Sequence, residues 1–230
     1  MTWIDEAKKQ AALTSAKHVK SGQIIGLGSG STAVHFIREV GRRLETGDLS
    51  DIYAVPTSYQ ASIDAVNAGI KLTTLDEYPE LDLAVDGADQ LDSKLNVIKG
   101  GGAALLREKI IAASAKYYII IADERKLIGT IGRGRSVPIE VLPFAVEPVI
   151  RSIGTLNGVP SLRGGSGKLG PVVSDNGNFI VDADFGAISN PEELNAELKK
   201  IPGIIETGLF LGYTDIAYIG TEKGIRKIVK

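Results

Sequence analysis

The sequence predicts an α/β protein whose larger part is an open, doubly wound, mostly parallel sheet. Three observations carry that prediction. Over about the first 130 residues, short apolar runs alternate with segments of helical periodicity, which implies crossover connections and a sheet covered on both faces. Glycine- or aspartate-rich segments follow the ends of the apolar runs, where open α/β sheets take their ligands. After Ala122 the texture changes to a hairpin, a helix and short strands, which suggests a small α+β insert over residues 132–206.

The elements follow in order. Ile4, Ala7, Ala11 and Val19 fall on or near one stripe, so residues 3–19 read as a helix closed by Gly22. Ile24 and Ile25 form a short buried strand running into Gly26-Leu27-Gly28-Ser29-Gly30-Ser31-Thr32. Ala33, Ile37, Val40 and Leu44 mark a second helix. Ile52 to Val55 reads as a strand, Ser58 to Ala68 as a helix and Lys71 to Leu75 as a strand. Leu81 to Val85 is a strand ending at Asp86-Gly87-Ala88-Asp89. Lys99-Gly100-Gly101-Gly102 precedes a helix from Ala103 to Ala115, and Tyr117 to Ala122 is a strongly apolar strand.

In the insert, Ile139 to Leu142 reads as a strand and Glu147 to Ile153 as a short helix. Pro171 to Asp182 reads as a hairpin around Asn176-Gly177, a pair that suits a type I′ turn with positive φ at both central residues. The Arg163–Gly167 stretch is expected as a flexible loop. Asn190 caps a helix that opens on Pro191 and ends at Pro202-Gly203. Leu209 to Leu211 and Ile216 to Ile219 return as strands. The expected division is a larger domain of residues 1–131, completed by 207–230, and a smaller one of 132–206.

Composition narrows the chemistry. With 230 residues the chain can bury roughly 70% of its unfolded surface. Lys plus Arg is 26 against 28 Asp plus Glu, so neither a nucleic-acid footprint nor a polybasic membrane anchor is expected. Zero cysteines remove disulfides, thiolate nucleophiles and cysteine metal sites, and two histidines leave little for a histidine metal centre or a serine–histidine triad. His18 and His35 read as structural. No apolar run approaches the ~18 residues of a membrane span, and the acidic start is not a secretory signal, so a cytoplasmic location is expected. Glycine, at 27 residues, exceeds the usual ~7%.

Three segments can carry chemistry. Gly28-Ser29-Gly30-Ser31-Thr32 lies between a strand and a helix, where backbone N–H groups and the helix dipole favour a phosphate; it reads equally as a tight turn with a serine cap. Asp86 and Asp89 can converge on one pocket, where like charge raises one pKa, or can serve a turn by accepting backbone N–H groups. Lys99 beside three glycines can steady an oxyanion. Glu108 lies off the apolar stripe expected at Ala103, Leu106, Ile110 and Ala113, and by position alone reads as a solvated glutamate. Arg107 and Lys109 read as solvated charges, and Asp92 as a surface residue.

Together these segments resemble one family, ribose-5-phosphate isomerase type A. The matching stretches are GLGSGSTA from Gly26, VPTSYQAS from Val55, VDGADQLD from Val85 and KGGGAALLREKII from Lys99. ADERK from Ala122, SDNGNFIVD, IPGIIETGLF and GTEKGI follow in the same order. The resemblance implies a Rossmann-like doubly wound domain with a smaller ferredoxin-like α+β domain. It implies reversible isomerisation of D-ribose 5-phosphate to D-ribulose 5-phosphate through a cis-enediol, in the non-oxidative pentose phosphate pathway. It also implies no metal or other cofactor, and a homodimer or homotetramer.

Roles carry across by motif. Glu108 matches the family's catalytic base, Asp86 an acid–base group linked to ring opening, and Asp89 its partner in sugar binding. Lys99 with Gly100, Gly101 and Gly102 matches the group holding the intermediate's oxygens, and Gly87 and Ala88 belong to the same substrate-binding turn. Ser29, Gly30, Ser31 and Thr32 match the phosphate loop, with Lys126 a later substrate lysine and Lys8 an N-terminal phosphate contact. Two positions depart from the pattern: Ser29 stands where threonine is usual, and Arg125 stands where serine precedes the lysine. A hexosamine-phosphate deaminase or phosphogluconolactonase could share this fold, and a non-catalytic sugar-phosphate sensor would bind without turnover; no helix-turn-helix segment precedes the α/β region to support the sensor.

Overall fold

The computed structural model describes residues 2–167 and 169–230. Its first half runs α1 (Trp3–Ala16), β1 (Ile24–Leu27), α2 (Ala33–Glu45), β2 (Tyr53–Pro56), α3 (Tyr59–Asn67), β3 (Lys71–Leu72), β4 (Leu83–Gly87), β5 (Gln90–Leu91), β6 (Val97–Ile98), α4 (Leu105–Ser114) and β7 (Tyr118–Asp123). The second runs β8 (Val137–Val141), α5 (Val146–Thr155), β9 (Val159–Leu162), β10 (Phe179–Asp184), α6 (Pro191–Lys199), β11 (Ile204–Thr207), β12 (Leu209–Phe210), β13 (Ile216–Thr221) and β14 (Gly224–Val229).

The main sheet has seven strands in the order β14-β13-β7-β4-β1-β2-β3, parallel except for the closing β13–β14 pair. Its central strands are apolar and buried, as a sheet covered on both faces requires. From β1 the chain winds outward to β2 and β3, then returns to lay β4 on β1's other side. That reversal opens a crevice at the carboxyl ends of β1 and β4, the place where such sheets bind ligands.

Local chemistry fixes the helix starts. Thr2 and Asp5 form a reciprocal capping box on α1, at 3.1 and 3.2 Å, and the Ser58 hydroxyl accepts the Ala61 N–H at 3.1 Å to start α3. On α2, Phe36, Ile37 and Val40 are buried against the sheet, each stabilising by about 1.5–3 kcal/mol. Among the described residues no helix is long and apolar enough to cross a membrane.

A four-stranded antiparallel sheet, β11-β8-β10-β9, packs α5 and α6 around its own core of Val137, Ile139, Val149, Ile153, Val181 and Leu198. A third, three-stranded sheet is ordered β12-β6-β5, so Leu209-Phe210 pairs with β6 rather than joining the main sheet.

The structure corrects several expectations. The stretch before Asn176-Gly177 makes a single bridge, Val173 to Phe179, and β10 pairs instead with β8 and β9. Gly177 alone has positive φ, at 81°, and its N–H donates to the Ser174 carbonyl, so the turn is not type I′. Asn176 is held otherwise: its Nδ2 joins the Ser174 hydroxyl and Asn178 Nδ2 in donating to Glu140 Oε1, at 3.0, 2.7 and 2.9 Å. Asp92 is buried rather than on the surface, because its carboxylate accepts the N–H groups of Lys94 and Asn96. Arg163 is no free loop residue: its N–H donates to Ile180 and its carbonyl accepts from Val172, both at 2.8 Å. The expected apolar stripe of α4 is also misphased. Ile110 is 44% exposed, while Leu105, Glu108, Lys109, Ile111 and Ala112 face inward.

Candidate active site

The crevice between β1 and β4 is a cleft of about 190 Å³. Lys8, Ser29, Gly30, Ser31, Thr32, Gly87, Ala88, Asp89, Lys99, Gly100, Gly101, Gly102, Glu108 and Lys126 all line it, joined by Arg125. Residues from five separate stretches of sequence thus meet at one place. Of the site residues that the family resemblance implies, Asp86 alone does not line the cleft. It lies beneath the Gly87–Ala88 floor, 1% exposed.

The loop after β1 is shaped by what glycine lacks. A Cβ on Gly28 would stand 2.2 Å from Asp86 Oδ1, so the bare backbone lets that carboxylate lie against the loop. The Ser29 and Gly87 N–H groups donate to Asp86 Oδ1 at 3.1 and 2.7 Å. Gly30, at φ +100°, turns the chain into α2. The Ser29 hydroxyl bonds Thr57 Oγ1 at 2.8 Å and Ser58 Oγ at 2.6 Å, which ties the loop to the next strand end. Lys8 Nζ donates to the Ser31 hydroxyl at 3.0 Å.

At the opposite wall sits a buried charge triad. Lys99 Nζ lies 3.1 Å from Asp86 Oδ2 and 3.3 Å from Glu108 Oε1, and donates to the Gly87 carbonyl at 2.6 Å. Lys99 is 3% exposed and Glu108 5%. Burial, then the neighbouring Asp86 charge, pushes the Glu108 carboxyl up to about 8, with Lys99 opposing. Burial likewise raises Asp86, against the pull of Lys99. For Lys99 burial disfavours the ammonium, but Asp86 and Glu108 together outweigh it and the net direction is up. The site therefore holds one secure cation between two carboxyl groups that resist ionising together.

Asp89 is engaged on both oxygens. Oδ2 accepts the Gly101 N–H and Oδ1 accepts Arg135 Nη2, each at 2.6 Å. Arg125 leaves Lys126 free to face the cleft, because its own guanidinium turns back onto buried Asp123 at 2.6 Å. Among the described residues no group of three His, Cys, Asp or Glu side chains could hold a metal ion.

Sequence reasoning missed two participants. Arg135 reaches Asp89 and Arg163 reaches the glycine loop, both from the chain around the four-stranded sheet and far from any motif. Tyr118 is buried on β7, with its hydroxyl raised well above the ordinary range by burial and then by Asp86 and Glu108. Lys109 is a further correction: it is buried, not solvated. Its ammonium donates to Glu206 at 3.0 Å and the Thr207 carbonyl at 2.7 Å, and burial lowers it to about 8. Arg107 is likewise no free charge, since it donates to Asn176 Oδ1 and the Asp175 carbonyl, both at 2.8 Å.

The chain as a whole is similar to known proteins. The family described as ribose 5-phosphate isomerase A (phosphoriboisomerase A) matches residues 53–224. The ribose-5-phosphate isomerase A of Methanosarcina acetivorans is 50% identical over 222 residues, 96% of this chain and 93% of that one. A solved D-ribose-5-phosphate isomerase in complex with phospho-erythronic acid superposes with a TM-score of 0.97 at 45% identity, over 100% of both chains. The ribose 5-phosphate isomerase A of Methanocaldococcus jannaschii gives 0.94 at 40% identity, over 98% of this chain and 99% of that one.

Proposed function

The chain belongs to the ribose 5-phosphate isomerase A family, which makes it an enzyme that isomerises ribose 5-phosphate, and from that premise we propose how its own residues carry the reaction. Glu108 removes the proton from C2 of the open-chain aldose and returns it to C1, passing through a cis-enediolate. Lys99 and the N–H groups of the glycine loop hold the oxygens where negative charge develops. A carboxyl whose pKa stands near 8 suits this role, because it can both accept and return a proton near neutral pH. Asp86 holds Lys99 from below and serves ring opening, while Asp89 meets the sugar hydroxyls. The phosphate sits on the Ser29–Thr32 loop at the start of α2, with Lys8 and Lys126 as its cations; its binding orients the reacting carbons.

One observation carries the reading: a single buried ammonium touches both Asp86 and Glu108 at the floor of a cleft rimmed by the loop and two lysines. The phosphorylated acid held by the solved relative supports a cleft that takes an anionic handle at one end and an oxygen pair at the other. The proposal assigns the enediolate charge to Lys99 rather than to a metal. It also reads residues 132–206 as a small α+β domain set on a larger one of 1–131 and 207–230. The enzyme is placed in the non-oxidative pentose phosphate pathway, in the cytoplasm, as a homodimer or homotetramer.

Turnover of ribose 5-phosphate in deuterated water tests the route. Proton transfer through Glu108 exposes the abstracted hydrogen to exchange, so ribulose 5-phosphate gains solvent deuterium at C1. Full retention of the original hydrogen would point to a hydride shift and refute the enediolate.

A further inference from the structure

The three-glycine loop is gripped from outside the cleft by one arginine. Arg163 follows β9 directly, and its backbone is fixed by bonds to Ile180 and Val172. Asp182 holds its guanidinium through Nε at 2.7 Å. From that platform Nη1 donates to the Gly100 carbonyl at 2.9 Å and the Gly101 carbonyl at 3.1 Å.

The consequence follows from peptide geometry. A trans peptide holds its C=O and N–H antiparallel. With the Gly100 carbonyl drawn to Arg163, the Gly101 N–H points the other way, and it meets Asp89 at 2.6 Å. With the Gly101 carbonyl drawn out as well, the Gly102 N–H is turned away from Arg163, and Gly102 lines the cleft. Among the described residues that N–H has no acceptor in the chain. The segment needs such a hold. Gly100 sits at φ +105° and Ala103 at +60°, and three successive glycines have many other conformations open to them.

We infer that Arg163 is a positioning residue for the isomerisation: by holding the Gly100 and Gly101 carbonyls outward, it aims the Gly102 N–H at the enediolate oxygens. The inference rests on the reading of the cleft as the isomerase site. Arg163 itself does not touch substrate; it acts through the loop, whose Gly100 carbonyl also accepts the Ala103 N–H at 3.0 Å, while the Gly101 carbonyl is held by Arg163.

Steady-state kinetics of R163M and R163K with ribose 5-phosphate test it, with two competitive inhibitors as probes. Phospho-erythronic acid carries a carboxyl group where the enediolate oxygens form, whereas inorganic phosphate reports only the anionic end. R163M is expected to lose about 10–100-fold in kcat, less than the ~10²–10³-fold that follows removal of an oxyanion donor itself, with KM moved by less than about threefold. Phospho-erythronic acid should weaken about tenfold and inorganic phosphate by less than about twofold. R163K should recover part of kcat, because an ammonium still reaches one carbonyl. Where R163M fails to fold, D182N loosens the guanidinium without removing it, and should show the same split at smaller size. Unchanged kcat in a folded R163M, or in D182N where that variant decides, overturns the inference, as does equal weakening of both inhibitors. Wild-type protein that fails to isomerise ribose 5-phosphate would instead overturn the underlying site reading, so the two failures are separate.

Discussion

Replacing Glu108 with glutamine should make the protein more stable and less active, by amounts that depend on pH in a defined way. An ordinary glutamate titrates at 4.5, and burial beside Asp86 raises this one to about 8. At 1.36 kcal/mol per pH unit, that gap corresponds to about 5 kcal/mol of cost for ionising Glu108 in the folded state. The sign follows from proton binding. Between pH 4.5 and about 8 the folded chain keeps a proton that the unfolded chain has released, so stability falls as pH rises through that window. Glutamine has no such proton to lose. Urea unfolding of both proteins from pH 5 to 9 should therefore show a small difference near pH 5. It should then widen by about 1.4 kcal/mol per pH unit in favour of E108Q and level off above about pH 8. Lys109, lowered by burial to about 8, adds stability with rising pH between 8 and 10.5, but both proteins share that slope and it cancels. In parallel, kcat of E108Q should drop at least ~10²-fold at every pH. A stability difference that is flat with pH would refute the buried, proton-holding carboxyl, and near-normal turnover would remove Glu108 as the base.

The remaining predictions are shorter. In the wild-type protein, kcat/KM should rise with pH along an acid limb near 8, as Glu108 loses its proton; a limb near the ordinary 4.5 would contradict the site's electrostatics. Gly28→Ala puts a Cβ 2.2 Å from Asp86 Oδ1, so kcat/KM should fall at least ~10²-fold, and a folded variant with normal turnover would show that the Asp86 position is not critical. Lys126→Ala should raise KM for ribose 5-phosphate about tenfold with kcat little changed, the pattern of lost phosphate binding. Activity should survive exhaustive chelation, and loss with EDTA followed by rescue with a divalent ion would reassign the charge now given to Lys99.

Much of the main sheet was legible because its strands are short, apolar and regularly spaced by helices. The clustering of the motifs was legible for the same reason, since each lies at a strand's carboxyl end in a sheet of known ligand geometry. The buried face of α4 was not. A periodicity count favours Leu106, Ile110 and Ala113, but the inward face carries Glu108 and Lys109, whose partners Lys99 and Glu206 lie outside the helix and outside its periodicity. Asn176 shows the same limit on a smaller scale. Asn-Gly favours a mirror-image turn by local preference, yet Glu140 on β8 uses the Asn176 amide and the backbone follows. Arg163 and Arg135 had no motif to mark them, because what they contact is loop backbone and one already paired carboxylate.

Glu108 and Lys109 are consecutive, so their side chains leave α4 about 100° apart around its axis. One is drawn to Lys99 and the other to Glu206. Two opposite pulls at neighbouring positions pin the helix like a spindle held at two bearings, and its azimuth cannot drift without breaking one of them. The aim of the proton-carrying carboxyl is thereby set in part by Glu206, a strand residue of the sheet that lies away from the sugar.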